Sequence, residues 1–524
     1  ILNQLIDKRK NVILTGNAGD GKTTIAAEVF QHLIKGKSLQ GLDKREEITG
    51  YNIVIIKDMS ELPTNEQPEI LKEAVSDISK TFLVVSNTGT LLKAFREAKL
   101  GDIFNESNLL EKLEANEPVQ IGERFVLINI GRMDSIDTAC KVFDRFIRED
   151  NWKACDKCQY GEDCPILFNI KLLQSNRELA SERVKLLYKR LYEYGERLTM
   201  RQMTGHLAYA ITGGRSCTDI GRMTLLTMRE LKRSSLFINY FFGDDGLVPL
   251  AEAAQLKAVR AIRKGQFGEV LDPEFEKSIW MKETLALFNM ETQEAIRLLK
   301  EKYSSSAIEI LEYRRQLRRF AYFFGNADNR FIATFLDSPM LLDYLNYTQK
   351  KVHIPSHLIY RFRMQVLQVL QEYFTGIRLT EDAWSERDVY ITLRLPSRAS
   401  RIQMVLAVLR CNDFELDLRP RYKLDKNINQ IFVLKYKYGT DEAVLELDLP
   451  FFDYVARRYE GEIAHELSAN YTNRLEDFKG KLLHIQSKNM KPEDKSRLYL
   501  LRSDSIRGLE EIKIILTDNG LEVM

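Results

Sequence analysis

The sequence has few of the residues that hold small secreted domains together, because only 6 of its 524 residues are cysteines. That number is too small for a disulfide scaffold, and three of the six lie between Cys155 and Cys164, which suggests a metal site. An excess of one charge is also lacking, since 77 basic and 75 acidic residues give a net charge of +2. Any contact with nucleic acid or an anionic membrane must therefore come from a local patch.

Long apolar runs are absent as well. No stretch approaches the roughly 20 uncharged apolar residues needed to cross a bilayer, and no basic segment followed by an apolar one stands at the start. We therefore expect a soluble, cytoplasmic protein that makes no membrane contact. The chain starts at Ile1 rather than at a methionine, so we also expect native sequence to precede it.

What the sequence does contain is a series of pattern changes that predict several domains, as its length allows. Residues 1–150 alternate short β-branched runs with helical patterns, which is typical of a parallel sheet flanked by helices. Residues 151–235 predict a cysteine-containing helical lid, and residues 236–380 predict a second helical domain. Residues 381–524 alternate like half-buried strands and predict a C-terminal α+β domain.

The elements of the two outer regions can be placed from their apolar spacing. In the first region the predicted strands are residues 11–14, 51–56, 81–85 and 125–130. The predicted helices between them are residues 22–35, 69–79, 90–99 and 136–148. In the last region the predicted strands are residues 389–395, 414–418, 431–437, 443–449 and 481–485.

The most specific motif follows the first predicted strand and precedes the first long helix. It reads Gly16, Asn17, Ala18, Gly19, Asp20, Gly21, Lys22, Thr23, Thr24. In that context GxxxxGKT predicts a P-loop, because the glycines let backbone amides turn inward around a phosphate and the helix start adds a positive dipole end. Lys22 is expected to neutralise the β- and γ-phosphates, and Thr23 to give its hydroxyl to Mg²⁺. We therefore expect the protein to bind ATP, or a similar nucleoside triphosphate, and to hydrolyse it.

Hydrolysis also requires a carboxylate near the magnesium ion and a group that positions water, usually at the ends of neighbouring strands. Asp58 follows the strand predicted at 51–56, with Glu61 close behind it, and resembles the Mg²⁺-binding acid of a Walker B segment. Lys57 is unusual at its position, so an ordinary strand-to-loop turn is the alternative. Asn87 follows the next strand and resembles the sensor-1 asparagine of AAA+ ATPases, with a helix cap as the alternative.

Two arginines are further candidates for contact with the nucleotide. Arg201 stands at the start of a predicted capped helix, where an arginine of an ATPase lid can touch the γ-phosphate. It is thus a sensor-2 candidate, and the alternative is a surface ion pair. Arg132 follows the strand predicted at 125–130 and could approach the nucleotide or remain a solvated loop residue.

The cysteine segment predicts a structural zinc site. Cys155 and Cys158 are separated by two residues and can bind one zinc ion from a tight turn, while Cys164 is close enough to add a third sulfur. A tetrahedral site needs a fourth ligand, for which the surrounding sequence offers three candidates: Cys140, His206 and Cys217. Spacing does not choose among them. Metal-free thiols and an iron–sulfur cluster are the alternatives.

Three basic clusters have a spacing that could follow a phosphate backbone. They are Arg314 with Arg315, Arg318 and Arg319; Arg361 with Arg363; and Arg419 with Arg421 and Lys423. A run of charge on a helix is more often a solvated face. DNA is therefore a candidate partner, although the overall composition does not indicate DNA binding.

Six segments occur in an order that resembles one family: GNAGDGKT, KDMSE, VVSNTGTLL, VLINIGR, the CxxC-x5-CP segment and TMRQMTGHLAYAITGG. Over residues 1–215 this set resembles the ATPase component of bacterial phosphorothioation-dependent restriction systems, the DptF-like proteins, and related ATP-binding proteins of phage defence. The resemblance implies that Lys22 and Thr23 bind phosphate and magnesium, that Asp58 is the acidic partner, and that Asn87 senses the nucleotide.

The resemblance further implies partner subunits, typically a helicase-like protein, that act with this ATPase on DNA lacking a protective backbone modification. No PD-(D/E)xK or HNH nuclease pattern is visible, so cleavage is expected to belong to a partner. The leading hypothesis is a motor or switch in a DNA-targeting defence complex, with homo-oligomerisation as a further candidate. Two rivals are a STAND-like signalling NTPase whose nucleotide state gates oligomerisation, and a scaffold that binds nucleotide without hydrolysing it.

Overall fold

The computed structural model divides the chain into two compact units, one of Ile1–Asp337 and one of Ser338–Arg421 with Asp425–Met524. The finer division at residues 150, 235 and 380 stays a prediction. The residues that the structure describes are 1–34, 43–101, 106–115, 117–234, 236–269, 273–280, 287–302, 307–349, 352–378, 387–393, 402–421, 430–462, 469–489, 497–504, 508–517 and 520–523. The predicted positions 35, 394, 395 and 423 lie outside them.

The first unit begins with a six-stranded sheet. Its strands are β1 (Asn11–Gly16), β2 (Arg45–Ile48), β3 (Ile53–Ile56), β4 (Thr81–Asn87), β5 (Val119–Ile121) and β6 (Phe125–Asn129). Across the sheet the order is β2-β3-β4-β1-β6-β5. The central four strands are parallel, whereas β2 and β5 pair antiparallel with β3 and β6 at the edges. The predicted parallel core is present, but the whole sheet is mixed because of these two edge strands.

Helices cover both faces of this sheet. One face packs on α1 (Leu2–Leu5) and α2 (Lys22–Leu33), and the other on α3 (Glu66–Ser76), α4 (Thr88–Ala98) and α5 (Glu106–Leu113). Successive strand residues alternate between the faces, so Val12 and Leu14 join the first core while Ile13 joins the second. Burial on both faces explains why the middle residues of the central strands, such as 12–14 and 82–85, are all apolar.

The rest of the first unit is helical. Its helices are α6 (Ile136–Phe146), α7 (Pro165–Ser175), α8 (Arg177–Glu193), α9 (Met200–Thr212), α10 (Cys217–Gly221), α11 (Leu225–Ser234), α12 (Phe237–Phe242), α13 (Lys257–Lys264), α14 (Pro273–Trp280), α15 (Met290–Lys302), α16 (Ala307–Phe324) and α17 (Asn329–Phe335). Helix α9 packs against α6, α7, α12 and α13. No helix within the described residues is long and apolar enough to cross a membrane.

The second unit combines helices with two antiparallel sheets. Its helices are α18 (Leu341–Gln349), α19 (Ser356–Thr375), α20 (Leu449–Glu460) and α21 (Ala469–Lys488). Its strands are β7 (Asp388–Thr392), β8 (Ile402–Arg410), β9 (Phe414–Pro420), β10 (Gln430–Tyr438), β11 (Asp441–Leu447), β12 (Arg497–Asp504), β13 (Gly508–Thr517) and β14 (Gly520–Val523). They form the sheets β11-β10-β9 and β14-β13-β12-β8-β7. The C-terminal β region predicted from the sequence is therefore present.

The prediction of a strand at residues 481–485 is wrong, because these residues belong to α21. The buried side chains of this helix are Leu475, Phe478, Leu482 and Ile485, which recur at three- and four-residue spacing. Over five residues, such a helical stripe gives the same letters as a half-buried strand.

The start of β1 depends on Asn11, whose side chain is fully buried. Its Nδ2 donates to the carbonyl of Ala74 at 2.7 Å, and its Oδ1 accepts from the amide of Phe82 at 2.9 Å. Asn11→Ala leaves both backbone groups without a partner, so we expect the free energy of unfolding to fall by about 2–4 kcal/mol. Chemical denaturation measures this. The exposed Asn3→Ala is the control, with a change within about 0.5 kcal/mol, and equal effects of the two variants would refute the assignment.

Candidate functional site

The loop between β1 and α2 lies at the carboxyl end of β1. β1 and β4 are parallel neighbours, and the helices that follow them, α2 and α4, cover opposite faces of the sheet, so a crevice opens at the carboxyl ends of these two strands. Gly19 and Gly21 both have φ of +88°, which glycine adopts without strain. Helix α2 starts directly after them at Lys22. The predicted order of strand, glycine loop and helix is present at the place where such sheets bind ligands.

Several backbone N–H groups of this loop lack an acceptor. Among the described residues, no hydrogen bond is donated by the amides of Gly19, Gly21, Lys22, Thr23 and Thr24. The first amides of a helix have no partner within the helix and carry its positive dipole end. The loop therefore offers a set of donors to an anion.

Lys22 is held inside the loop by neutral oxygens only. Its Nζ donates to the carbonyls of Gly16 at 3.0 Å and Asn17 at 2.7 Å, and to Asn87 Oδ1 at 2.8 Å. The residue is only 5% exposed. Within the described part of the chain, no acidic side chain forms an ion pair with it, so its charge is buried without a direct countercharge.

Burial is the main reason that the pKa of Lys22 is lowered. Nearby positive charges on Arg197 and Arg201 lower it further, while the carboxylates of Asp20 and Asp58 oppose the change. Each group therefore lies within electrostatic range of the Lys22 ammonium. A ligand with several negative charges would relieve this imbalance.

Asn87 lies beside the loop, as predicted, because the parallel register of β1 and β4 sets it against Gly16. It also occupies the N-cap position of α4, but its side chain accepts no hydrogen bond from that helix. Its amide oxygen is bonded to Lys22 instead. Of the two interpretations of Asn87, the geometry favours the one that puts it in the site.

Asp58 and Glu61 differ in their relation to the loop. Asp58 follows β3, one strand beyond β4, and its Oδ1 accepts from the amide and hydroxyl of Ser60 at 2.9 and 2.7 Å. It therefore caps the turn at Met59–Glu61 while its charge acts on Lys22. Glu61 pairs with Lys57 at 3.7 Å near the surface, and its contacts within the described residues do not bring it to the loop.

The start of α9 contacts the loop directly. Thr199 and Gln202 form a capping box, and the amide of Arg201 donates to the carbonyl of Gly19 at 3.3 Å. A β-carbon on Gly19 would lie 2.8 Å from Cβ of Arg201, so the two backbones touch. Arg201, the sensor-2 candidate, is therefore brought to the loop rather than to a remote surface.

Sequence reasoning missed Arg197. Its Nη2 donates to Asp20 Oδ1 at 3.0 Å, across 177 positions of sequence. No motif or spacing links the two residues, so the signal exists only in three dimensions. Arg132, by contrast, donates to the carbonyl of Glu114.

Three arginines of the cluster at 314–319 form ion pairs and hydrogen bonds within the first unit. Arg319 forms a buried pair with Asp244 at 2.8 Å, and Arg318 bonds to Glu276 at 2.9 Å and to the carbonyl of Gly268. Arg315 pairs with Glu312. Because these charges already have partners inside the protein, this cluster gives no support to a phosphate-binding face.

The other two clusters lie in the second unit. Arg363 donates to the carbonyl of Phe414 at 3.0 Å, Arg361 lies over the ring of Phe362, and Arg419 pairs with Glu446. Lys423 lies outside the described residues. The three arginine side chains named here therefore also make contacts within the protein.

The cysteine segment forms consecutive turns. The amide of Cys158 donates to the carbonyl of Cys155 at 3.1 Å, and Cys164 caps the start of α7. Across the described residues, no three His, Cys, Asp or Glu side chains converge on a position that would hold a metal ion. The zinc site therefore stays a prediction.

The structure does separate the three candidates for a fourth ligand. Burial first, then the neighbouring thiols of Cys217, Cys164 and Cys158, raise the pKa of Cys155, so Cys217 lies near the segment. Cys140 is buried, and desolvation raises its pKa to about 12. His206 is fully buried and its ring nitrogens bond to Tyr188 and to the carbonyl of Phe241; desolvation lowers its pKa to about 4. Cys217 is the candidate that the geometry favours.

Comparison of the chain with protein-family models, with curated proteins and with solved structures gives no match. The resemblance to DptF-like proteins stays a prediction.

The two loop glycines give a paired test of the contact with α9. Gly19→Ala adds a methyl group against Arg201, whereas Gly21→Ala meets nothing within 4 Å, and both share the same φ. Gly21→Ala should lower the free energy of unfolding by about 1–2 kcal/mol through strain alone. Gly19→Ala should lower it by at least about 1 kcal/mol more, because overpacking adds to the strain. Denaturation of the nucleotide-free proteins measures both, and equal losses would contradict the contact.

Proposed function

We propose that this protein is a P-loop ATPase that binds ATP with Mg²⁺ at the loop between β1 and α2 and hydrolyses it. The observation that carries the proposal is the burial of Lys22 beneath the loop: among the described residues it has no direct ion-pair partner, and several of the loop amides have no acceptor. A buried ammonium surrounded by neutral oxygens is unfavourable unless an anion is supplied. The phosphates of a nucleoside triphosphate supply that charge and also accept from the loop amides.

The side chains around Lys22 support a role for magnesium. The hydroxyl of Thr23 makes no hydrogen bond to any residue that the structure describes, and only one oxygen of Asp58 accepts from Ser60. A hydroxyl and a carboxylate oxygen are the oxygen ligands that Mg²⁺ takes in P-loop proteins, where the ion neutralises charge that develops on the phosphates. In this proposal Thr23 and Asp58 hold the ion and Lys22 neutralises the phosphates.

Asn87 and Arg201 complete the proposed catalytic group. Asn87 accepts from Lys22 through its amide oxygen, and in this proposal it also positions the attacking water at the end of β4. Arg201 adds positive charge from the start of α9. Glu61 is left out of the group because it pairs with Lys57. Such preorganised charges act mainly on the transition state of phosphoryl transfer.

For the cellular role we propose a motor or switch in a DNA restriction or anti-phage complex, together with partner subunits that include a helicase-like protein. The order of the six resembling segments supports this role. The rate of ATP hydrolysis, measured with and without DNA and with and without the partner subunits, tests this role. Stimulation by DNA supports the proposal, ligand-dependent assembly without DNA stimulation supports a signalling NTPase, and binding without turnover supports a scaffold.

We also propose that Cys155, Cys158, Cys164 and Cys217 bind one structural zinc ion. Helix α10, which starts at Cys217, packs on the cysteine segment: the ring of Tyr160 lies 3.7 Å from where a β-carbon on Gly221 would stand. The next helix, α11, is also joined to the cysteine segment, through the ion pair of Arg229 with Asp163 at 2.9 Å. Ligation requires the four thiols to turn toward one centre by rotation about χ1.

Lys22→Ala tests the nucleotide site. Loss of a charged donor to the phosphates should weaken ATP binding by about 100-fold or more, and the fold should be retained because a buried, unpaired charge is removed. Calorimetry of ATP binding and circular dichroism measure the two effects. The control is Lys93→Ala, which removes an exposed lysine paired with Glu97 on α4. Unchanged ATP affinity in the Lys22 variant would eliminate the site assignment.

Zinc content tests the cysteine site. Freshly purified protein should contain about one zinc ion per chain, and Cys217→Ser should lower this several-fold because a four-coordinate structural site loses a ligand. Elemental analysis gives the ratio. Cys140→Ala, in the core of α6, is the control that should keep its zinc. Protein without zinc, or full zinc content in the Cys217 variant, would argue against this set of ligands.

A further inference from the structure

The side chain of Asp20 is fully enclosed beneath the loop. Its Oδ2 accepts from the amide of Asn17 at 2.7 Å, and its Oδ1 accepts from Arg197 at 3.0 Å. The Asp20 side chain is 0% exposed and that of Arg197 is 19% exposed. A buried carboxylate is strongly unfavourable without its partner, so the conformation of the loop depends on Arg197.

Arg197 joins the loop to two other parts of the first unit. Its guanidinium also donates to the carbonyls of Met133 at 3.0 Å and Ile130 at 3.3 Å, which follow β6. Its own carbonyl accepts from Lys257, the first residue of α13. One side chain therefore bridges the loop and the end of β6, and its backbone contacts the helical region.

The same stretch of chain reaches the loop a second time. Four residues after Arg197, the amide of Arg201 bonds to the carbonyl of Gly19. The loop is thus contacted at two adjacent residues, Gly19 and Asp20, by the segment that leads into α9. Any shift of the loop around a ligand changes the contacts on which the start of α9 depends.

We propose that Arg197 is a positioning residue for the phosphate loop, and that the pair of Arg197 with Asp20 transmits nucleotide binding to α9. The inference rests on the proposed function and specifies how that site is regulated. Arg197 holds the carboxylate of Asp20, Asp20 holds the amide of Asn17, and the loop so shaped presents its free amides to the phosphates. The contacts of the residues that pack around α9 then depend on whether a nucleotide is bound at the loop.

Asp20→Asn separates positioning from simple electrostatics. It removes a negative charge near the site and keeps an oxygen for the amide of Asn17, so electrostatics alone would tighten ATP binding. Positioning requires the charged pair, so we expect binding to weaken by about tenfold. Arg197→Lys keeps a charge but offers a single ammonium in place of a planar group with several donors, and should be affected less than Arg197→Met.

The decisive experiment is amide hydrogen exchange of α9, with and without a saturating non-hydrolysable ATP analogue. The unmodified protein should show slower exchange in α9 when the analogue is bound, and Arg197→Met should bind the analogue more weakly and lose this response at saturation. Lys264→Met is the control, because it removes only an exposed ion pair to Glu196, next to Arg197, and should respond like the unmodified protein.

The outcomes distinguish this inference from the function on which it rests. If the unmodified protein binds no analogue, the proposed function fails and the inference fails with it. If the analogue binds but Arg197→Met responds in α9 like the unmodified protein, the inference alone is overturned. Tighter ATP binding by Asp20→Asn also overturns it. Should Arg197→Met not fold, Asp20→Asn in the same exchange measurement decides between the two results.

Discussion

The burial of one ammonium group, that of Lys22, is the constraint on which the rest of the site depends. Its three acceptors come from the end of β1, the loop and the end of β4, so the sheet must hold β1 and β4 in their parallel register to satisfy it. None of these acceptors is charged. The arrangement leaves a deficit of negative charge at this edge of the sheet, next to amides that also lack acceptors in the part of the chain that the structure describes. A polyphosphate corrects both deficits at once.

The helical part of the first unit contacts the phosphate loop at this edge of the sheet. Without α9 and the segment before it, the side of the loop at Gly19 would be uncovered, and the buried carboxylate of Asp20 would have no charged partner. The contacts of Arg197 and Arg201 therefore make the loop a joint structure of the sheet and the helices. The sheet and these helices belong to one compact unit, so a ligand that binds to the loop would also act on the helices around α9.

Much of the sheet could be predicted from the sequence because its signals are local. The middle of a buried strand such as β1, residues 12–14, is continuously apolar, and glycines follow in the loop after it. Edge strands such as β2, with the sequence Arg-Glu-Glu-Ile, carry no such signal. Residues 481–485 of α21 are too few to distinguish the apolar stripe of a helix from the alternation of a strand. The pairing of Arg197 with Asp20 and the internal partners of Arg318 and Arg319 are long-range, so no pattern of neighbouring residues could reveal them.

The central claim is that phosphates supply the charge that Lys22 lacks, and proton uptake on ATP binding tests it most directly. Because burial lowers the pKa of Lys22, a fraction of the protein molecules carries a neutral Lys22 at pH values approaching the ordinary lysine pKa of about 10.4. Bound phosphates would raise that pKa, so ATP binding should be accompanied by uptake of protons in this range. Calorimetry of ATP binding in buffers of different ionisation enthalpy measures the uptake. Binding without proton uptake, or no binding of ATP, would contradict the account.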